Sequence, residues 1–186
     1  AVNFRVMKVD ISQSINKLKL IEVVPNIIDT LIESHELFKG YLALKERRMG
    51  QNFLSLIDLS TGKRRQLEFD EPVYVVEFDD NTDFSEEYLR IYYSSPVTPG
   101  SIYDIDLNTA EKVLRKRDKV IGDFDSGNYK TERLFVRSRD EKEIPYMTTS
   151  IKADETAKMG IITDVKQELR KANALKINYS TRKGTY

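Results

Sequence analysis

The chain has 186 residues, of which 40% are hydrophobic and 32% charged, and its 30 Lys and Arg side chains balance its 30 Asp and Glu side chains. That balance gives no overall charge to attract nucleic acid or a membrane surface, and no apolar run approaches the roughly 20 residues of a transmembrane helix. The chain has no cysteine, which excludes disulfides, thiolate metal sites and a cysteine nucleophile and is compatible with the cytoplasm, where we expect the protein to reside.

A short motif recurs at a spacing of about 48 residues, which is within the range of known structural repeats. It reads Val9-Asp10-Ile11-Ser12, then Ile57-Asp58-Leu59-Ser60, and then Ile105-Asp106-Leu107-Asn108. Each copy looks like the end of an alternating strand that runs into a turn, where the Asp side chain can accept hydrogen bonds from the turn amides. The motif therefore predicts a strand and a turn at the same place in each of three repeats.

Other strand-like runs, separated by turn residues, fill the intervals between the motifs. In chain order the runs cover residues 18–24, 40–46, 53–57, 73–78, 88–93 and 101–105. About four short strands in a repeat of this length is typical of a β-propeller blade. We predict a mainly all-β fold, a partial β-propeller of about 2.5 four-stranded blades in residues 1–130, in which residues 29–69 and 73–117 form equivalent units. A β-sandwich with similar hairpins is the alternative.

This number of blades is too small to close a ring, because closed propellers use about 4–8 blades. The end blades would each keep an apolar face and strand edges uncovered. We therefore expect a piece of a larger fold or a homo-oligomer, most simply a two-fold dimer. A C-terminal helix that folds back to cap one end and leaves a monomer is the alternative.

The last segment, residues 152–186, has a helical rather than an alternating pattern. Ile162, Val165, Leu169 and Ala172 are spaced three, four and three residues apart, which places one apolar stripe on a helix. We predict a short α-helical tail near residues 155–175. Its stripe would cover an exposed edge or pair with a copy of itself.

Several longer segments resemble the oligopeptidase B group of the prolyl oligopeptidase family of serine peptidases. Residues 70–76 (DEPVYVV) and 88–106 (YLRIYYSSPVTPGSIYDID) are similar to the last propeller blade of that family, and residues 25–47 resemble the preceding blade. Residues 122–145 resemble the crossing from propeller to hydrolase domain. The resemblance implies propeller blades in residues 1–130, a hinge at residues 129–133 with the first hydrolase strands in residues 131–151, and a divergent tail in residues 152–186.

The same resemblance implies an activity for the whole family. Its members are two-domain enzymes whose Ser-Asp-His triad cleaves short peptides after Lys or Arg, while the propeller keeps folded proteins away from the site. The triad lies beyond the segments that match here, so no catalytic residue carries over. The implied partners are peptides with basic residues and a hydrolase portion that this chain lacks.

The residues themselves indicate no catalytic, cofactor or metal site. No G-x-S-x-G elbow occurs, and the single histidine, His35, falls in a predicted blade strand. Residues 79–83 (DDNTD) resemble the start of a calcium loop but lack its central Gly and distal Glu, so we predict a solvated hairpin loop. We expect a propeller piece that is not catalytic by itself. A free-standing module in which copies assemble through their sheets is the alternative, and the missing triad argues against a complete small peptidase.

Charge is unevenly distributed along the chain. Residues 70–106 hold 10 acidic side chains and a single basic one, Arg90. One-sided charge can concentrate cationic ligands, so these loops either gather basic peptides or only solubilise the propeller. The basic runs at residues 63–65 and 115–117 follow the repeated turn, where we predict solvated blade edges that prevent sheet pairing rather than a nucleic-acid site.

Overall fold

The computed structural model describes residues 3–12, 19–122 and 124–151, and the regular secondary structure of those residues is almost entirely β-strand. A 3₁₀ turn at Ser126–Asn128 is short, and no helix in the described ranges has the length and hydropathy to cross a membrane. The predicted helical tail lies outside the described residues. The strands in chain order are β1 (Val6–Lys8), β2 (Ile21–Val24), β3 (Leu31–Phe38), β4 (Tyr41–Arg48), β5 (Gln51–Asp58), β6 (Arg64–Gln66), β7 (Val75–Phe78), β8 (Tyr88–Ser94), β9 (Ser101–Asp106), β10 (Lys112–Arg117), β11 (Tyr129–Arg137) and β12 (Glu143–Ile151).

Strands β3 to β6 form a four-stranded antiparallel sheet, which we call the first blade. The strands lie in the order β3-β4-β5-β6, so each pairs with its neighbour in sequence. The connection from β4 to β5 consists of Met49 and Gly50, which both have positive φ angles of 49° and 76°. Two such residues form the hairpin turn whose twist matches that of the flanking strands.

Strands β7 to β10 form a second four-stranded sheet, the second blade, with the order β10-β9-β8-β7. The loop of residues 79–87, which includes the predicted solvated loop of residues 79–83, connects β7 to β8. Both blades thus contain four strands in which sequence neighbours are also sheet neighbours. The prediction of a mainly all-β fold built from repeated four-stranded units is confirmed.

In each copy of the repeated turn the Asp carboxylate accepts a hydrogen bond from the backbone N–H two residues later. The Asp58 carboxylate accepts from the backbone N–H groups of Ser60 at 2.8 Å and Thr61 at 3.1 Å. The Asp106 carboxylate accepts from the amides of Asn108 at 2.9 Å and Thr109 at 2.7 Å, and Asp10 accepts from the amide of Ser12 at 2.9 Å. The predicted role of the aspartate as a turn acceptor is therefore confirmed.

Backbone hydrogen bonds next to the turns relate the two blades residue by residue. The amide of Leu59 donates to the Gly40 carbonyl at 2.8 Å, and the amide of Leu107 donates to the Glu87 carbonyl at 3.0 Å. Leu59 therefore corresponds to Leu107, and Gly40 corresponds to Glu87. Equivalent residues of the two blades are 48 positions apart along the chain in the turn and in β5 and β6. At the start of β4 they are 47 positions apart.

Both faces of the first blade are covered. Leu42, Ala43 and Leu44 are consecutive and all buried, although successive strand residues point to opposite faces. On one face Leu42, Leu44 and Ile57 form a cluster with Val24 of β2. Strands β1 and β2 form a two-stranded sheet, which we call the half blade. Because the motif at residues 9–12 follows β1, the half blade corresponds to the last two strands of a blade.

Strands β11 and β12 form an antiparallel hairpin with nine paired positions, from Tyr129 opposite Ile151 to Arg137 opposite Glu143. The residues expected to form a hinge, 129–133, lie in the first half of β11. Leu134, Phe135 and Val136 are exposed and alternate between the two faces of the hairpin. Both faces of this end of the hairpin are therefore apolar.

The chain clusters into two compact units. One contains residues 1–68, 76–91 and 104–113, and the other contains residues 69–75, 92–103 and 114–186. The first unit includes the half blade and the first blade. The second includes the hairpin of β11 and β12, and strands of the second blade contribute to both units.

Candidate functional site

The centre of the second blade contains an ion pair between Arg90 of β8 and Asp104 of β9. The Arg90 Nε atom lies 2.7 Å from Asp104 Oδ1, and Nη2 lies 3.0 Å from Oδ2. The Asp104 side chain is 3% exposed and that of Arg90 is 33% exposed. The guanidinium also lies over the Tyr88 ring, 5.3 Å from its centroid. Hydrogen bonding to Asp104 raises the pKa of Arg90, so the guanidinium remains charged.

A second polar cluster surrounds the carboxylate of Glu71, which precedes β7. The hydroxyl groups of Tyr93 and Thr98 donate to this carboxylate, and the Ser95 hydroxyl lies 3.5 Å from it. Burial alone would raise the pKa of Glu71, but the bonds from Thr98 and Tyr93 outweigh burial and lower it. Burial and the bond to Glu71 raise the pKa of Tyr93, which therefore stays a neutral donor.

The acidic side chains of residues 70–106 thus have structural partners in several cases. Asp104 and Glu71 are engaged as described, Glu77 pairs with Lys45, and Asp83 and Asp106 accept turn amides. The largest effect on Asp83 is its hydrogen bond from the Ser85 hydroxyl, which lowers the pKa of Asp83. Several carboxylates of the acidic segment therefore have partners within the fold, so their presence in the sequence does not depend on a bound peptide.

An ionic cluster connects the first blade to β7 of the second. The Lys45 ammonium on β4 lies 3.4 Å from Glu33 on β3 and also contacts Glu77 on β7. Burial would lower the pKa of Lys45, but the two carboxylates raise it. The Arg47 Nη2 atom lies 2.7 Å from Oε1, the other carboxylate oxygen of Glu33. Lys45 is therefore held as a cation between the blades.

The repeated turn of the second blade lies against the first blade. The Arg65 guanidinium donates to the carbonyl groups of Leu107, Asn108 and Thr109 at 3.0–3.3 Å. The Tyr41 hydroxyl donates to the Asn108 side chain at 2.7 Å. A small cavity of about 220 Å³ lies beside these contacts. These contacts connect a turn to a sheet face, and the groups that accept from Arg65 are backbone carbonyls.

A larger cavity of about 440 Å³ lies next to the loop between β8 and β9 and the segment after β10. Its lining includes Thr98, Pro99, Asp118, Phe124 and Ser126. A Cβ atom at Gly100 would lie 2.7 Å from Asp118 Oδ2 and 2.8 Å from the Tyr92 hydroxyl, so a larger residue here would displace the ends of these two side chains. The lining as a whole combines hydroxyl, carboxylate, guanidinium, aliphatic and aromatic groups.

The structure separates the residues that the sequence singled out. His35 is exposed on β3, and residues 79–83 lie in the loop before β8, where the Asn81 amide oxygen accepts from the backbone of Arg90 at 2.7 Å. No group of three His, Asp or Glu side chains in the described ranges is arranged to hold a metal ion. None of these residues meets a partner that would form a catalytic centre.

The basic runs fall on the outer strands β6 and β10, as predicted, but at least three of their arginines are not merely solvated. Arg117 donates to the hydroxyl groups of Ser101 at 3.1 Å and Tyr103 at 2.8 Å. Arg64 pairs with Glu46, a side chain of β4 that is almost fully buried, and lies 3.2 Å from the Ser55 hydroxyl. Arg65 binds the turn of the second blade. The sequence offered no sign of these partners, because the whole of β5 separates Glu46 from Arg64 along the chain.

Comparison with known proteins identifies the repeat. Residues 1–118 match the model of the prolyl oligopeptidase N-terminal β-propeller domain. The chain is 32% identical to dipeptidyl aminopeptidase BI of Pseudoxanthomonas mexicana over 114 residues, which are 61% of this chain and 16% of that protein. It is 22% identical to protease 2 of Moraxella lacunata over 145 residues, which are 78% of this chain and 20% of that protein.

Solved structures agree with the sequence relatives. Oligopeptidase B from Leishmania major superposes with a TM-score of 0.63 at 25% identity, over 73% of this chain and 20% of that chain. Oligopeptidase B from Trypanosoma brucei, solved with covalently bound antipain, gives 0.65 at 24% identity, over 75% of this chain and 22% of that chain. The present chain thus spans about a fifth of the length of the proteins it matches.

Proposed function

The chain belongs to the family of prolyl oligopeptidase N-terminal β-propeller domains, and we propose that it serves as the propeller portion of an oligopeptidase-B-like serine peptidase. The observation that carries this proposal is the pair of consecutive four-stranded blades with identical Asp turns. Their order along the chain, followed by a long hairpin, is the order that the sequence resemblance implies.

In this proposal the propeller admits short peptides and excludes folded proteins, while another part of the enzyme cleaves after Lys or Arg in the cytoplasm. The acidic segment supports a preference for basic peptides only through its remaining exposed carboxylates, such as Asp70 and Asp80. The apolar faces of the β11 and β12 hairpin support the interpretation that residues 131–151 begin a hydrolase domain. Two-stranded hairpins of this kind are marginal without further packing.

We infer that the chain does not carry out acyl transfer by itself. Its sequence lacks a G-x-S-x-G elbow, and its one histidine, His35, lies exposed on β3. Removing a catalytic triad and its oxyanion hole leaves essentially none of the acceleration of a serine peptidase. We therefore expect the purified chain not to hydrolyse arginyl or lysyl peptides. Turnover that copurifies with the chain and is blocked by a serine-directed phosphonate would contradict the proposal.

A hybrid enzyme tests the gating role directly. Residues 1–118 of this chain would replace the matching segment of protease 2 from Moraxella lacunata. We expect the hybrid to cleave a short basic peptide and to leave a folded globular protein intact. The parent enzyme serves as the reference in both assays. A folded hybrid that degrades the globular protein as readily as the peptide would show that this segment does not restrict access.

Self-association is the second candidate function, in which sheets of several copies complete one another. The observation that favours it is the number of large apolar side chains that are exposed, among them Ile11, Leu20, Val113, Phe135 and Ile144. Protein interfaces are typically formed by exposed apolar side chains that lie next to one another. A two-fold dimer is the simplest arrangement, and light scattering tests it.

A further inference from the structure

The small cavity beside the Arg65 contacts, which we call the seam cavity, lies between the first blade and the turn of the second. Its volume is about 220 Å³, and it is lined by Tyr41, Leu56, Asp58, Lys63, Arg65 and Asn108. The first five belong to the first blade, and Asn108 belongs to the turn of the second. All six lie in the same compact unit. The described chain therefore provides both walls of the cavity.

Two donors that line the seam cavity have unused hydrogen-bonding capacity. The Arg65 guanidinium is engaged by three carbonyl groups, and the Tyr41 hydroxyl donates to Asn108 Oδ1 at 2.7 Å. The latter bond uses the amide oxygen of Asn108, and its Nδ2 group has no partner among the described residues. The Lys63 ammonium likewise makes no hydrogen bond or ion pair with any residue that the structure describes. Both groups are therefore available to an acceptor in the cavity.

The same cavity has one acceptor with unused capacity. Asp58 Oδ1 accepts all of the hydrogen bonds that the turn gives to this carboxylate, from the Ser60 amide at 2.8 Å, the Ser60 hydroxyl at 2.6 Å and the Thr61 amide at 3.1 Å. Within the described part of the chain, Asp58 Oδ2 has no partner, and it does not pair with Lys63. The lining thus presents a cation and an anion that are both available and are not neutralised by each other.

The fold does not require a lysine at this place in the repeat. The amide of Asp58 donates to the Lys63 carbonyl at 3.0 Å, and the amide of Asp106 donates to the Glu111 carbonyl at 3.0 Å. Glu111 therefore corresponds to Lys63, and the turn forms with a side chain of either charge. The backbone contacts of the turn do not explain the lysine, whereas a ligand in the cavity would use its charge.

We propose that the seam cavity binds a small zwitterion, a free α-amino acid. The ligand carboxylate accepts from the Lys63 ammonium and the Asn108 Nδ2 group, and the ligand ammonium donates to Asp58 Oδ2. Hydrogen bonds between charged groups are stronger than those between neutral groups. Since a water molecule takes up about 30 Å³ in the liquid, the volume suits a ligand of about seven non-hydrogen atoms, such as alanine or serine. This inference goes beyond the propeller role and does not depend on peptidase activity.

Titration of the ¹⁵N-labelled full chain with L-alanine, followed by NMR, tests the site. We expect saturable shifts of the Asn108 side-chain amide, with a Kd on the order of 1 mM for so small a ligand. Lys63→Met and Asp58→Asn should each weaken binding by at least about 10-fold, because each removes a hydrogen bond between charged groups. Lys63 is exposed, and asparagine keeps the oxygen that accepts from the turn amides, so we expect both variants to fold.

Two other variants and two other ligands serve as controls. Lys119→Met and Glu111→Gln alter exposed charged residues that do not line the cavity, and both should bind L-alanine as the unaltered chain does. Acetate and methylammonium carry the two charges separately, and each should bind at least about 10-fold more weakly than L-alanine.

Three results would overturn the proposal. The absence of saturable shifts, or an unchanged affinity in either cavity variant, would exclude the site. Acetate that binds as tightly as L-alanine would show a simple anion site instead of a site for a zwitterion. The peptidase and hybrid assays are independent of all three results.

Discussion

Arg90 and Asp104 occupy the positions in the second blade that Ala43 and Leu56 occupy in the first. Ala43 lies directly opposite Leu56 in the pairing of β4 with β5. The equivalent positions in the second blade hold a bidentate ion pair with hydrogen bonds of 2.7 and 3.0 Å. The same site in the repeat thus accepts either two apolar side chains or two charges that neutralise each other.

Exchange of the ion pair for the residues of the first blade should preserve stability. Arg90→Ala removes the cationic partner of a buried carboxylate, which costs about 3–5 kcal/mol. Asp104→Ala should cost less, because the partly exposed guanidinium can regain water. The double variant Arg90→Ala with Asp104→Leu should lie within about 1 kcal/mol of the unaltered chain, since apolar replacement of a buried pair is often neutral. Urea unfolding measures all three, and a double variant as unstable as the sum of its parts would contradict the correspondence.

The repeated turn gives a reciprocal pair of glycine and alanine substitutions. Gly62 and Ala110 occupy the same position with φ angles of 71° and 64°. A left-handed conformation costs an L-residue roughly 1–2 kcal/mol, and the entropy cost of glycine offsets part of this. Ala110→Gly should therefore stabilise the chain by about 0.5–1 kcal/mol.

Gly62→Ala is the matched control for that change and should destabilise the chain by a similar amount. A Cβ atom at Gly62 would meet nothing within 4 Å, so the cost arises from the backbone conformation alone. Thermal unfolding of both variants checks the prediction. Shifts of the melting temperature in the same direction would show that the two turns are not equivalent.

The turn at Asp58 should make stability sensitive to acid. The hydrogen bond from the Ser60 hydroxyl, with the amides of Ser60 and Thr61, lowers the pKa of Asp58 to about 2. The pKa in the unfolded chain is about 3.9. Since the folded value is depressed, the stabilisation is complete above pH 4 or so, shrinks between about pH 4 and about pH 2, and is lost below. Asp58→Asn should remove this dependence.

Ser60→Ala provides a second readout of the same turn. Loss of its hydroxyl donor should move the pKa of Asp58 back towards the value in the unfolded chain, so the acid-dependent loss of stability should become smaller. Unfolding curves at a series of pH values measure the difference between each variant and the unaltered chain. A difference that is independent of pH for both variants would refute the assigned role of the carboxylate.

The hydroxyl groups around Glu71 should make this side chain important for the second compact unit. Glu71→Ala leaves Tyr93 and Thr98 without their acceptor and should cost about 1–3 kcal/mol. Glu71→Gln keeps an acceptor oxygen and should cost less. Because the pKa of Glu71 is lowered in the folded chain, its contribution should fall as the pH drops below about 4.3, the value in the unfolded chain. Equal losses for both variants at neutral pH would exclude hydrogen bonding as the cause.

The prediction from sequence was most accurate where the determining contacts are local. Asp58 binds the amides of Ser60 and Thr61, so its turn can be read from neighbouring residues and found again in the next repeat. The alternation of residues 53–57 likewise predicted β5, which spans Gln51–Asp58. The positions of the basic runs on outer strands followed from the same repeat.

Contacts between distant residues could not be predicted in this way. Arg64 looked like a solvated edge residue, but strand pairing places Ile57 opposite it and brings its side chain to Glu46 across the sheet. The acidic segment looked like one charged surface, whereas Glu71, Glu77 and Asp104 have three separate sets of partners. These outcomes depend on register and on which faces meet, and the local pattern contains neither.

The sequence by itself therefore determined the repeat, the class of fold and the chemistry of each turn, because turn hydrogen bonds and strand alternation act over a few residues. Tertiary structure alone decided how the charges are used. The Arg90 and Asp104 pair forms only because β8 and β9 pair in a register that places them side by side. The Arg65 contact with residues 107–109 exists only because one blade packs on the next, so each depends on contacts that span many residues of chain.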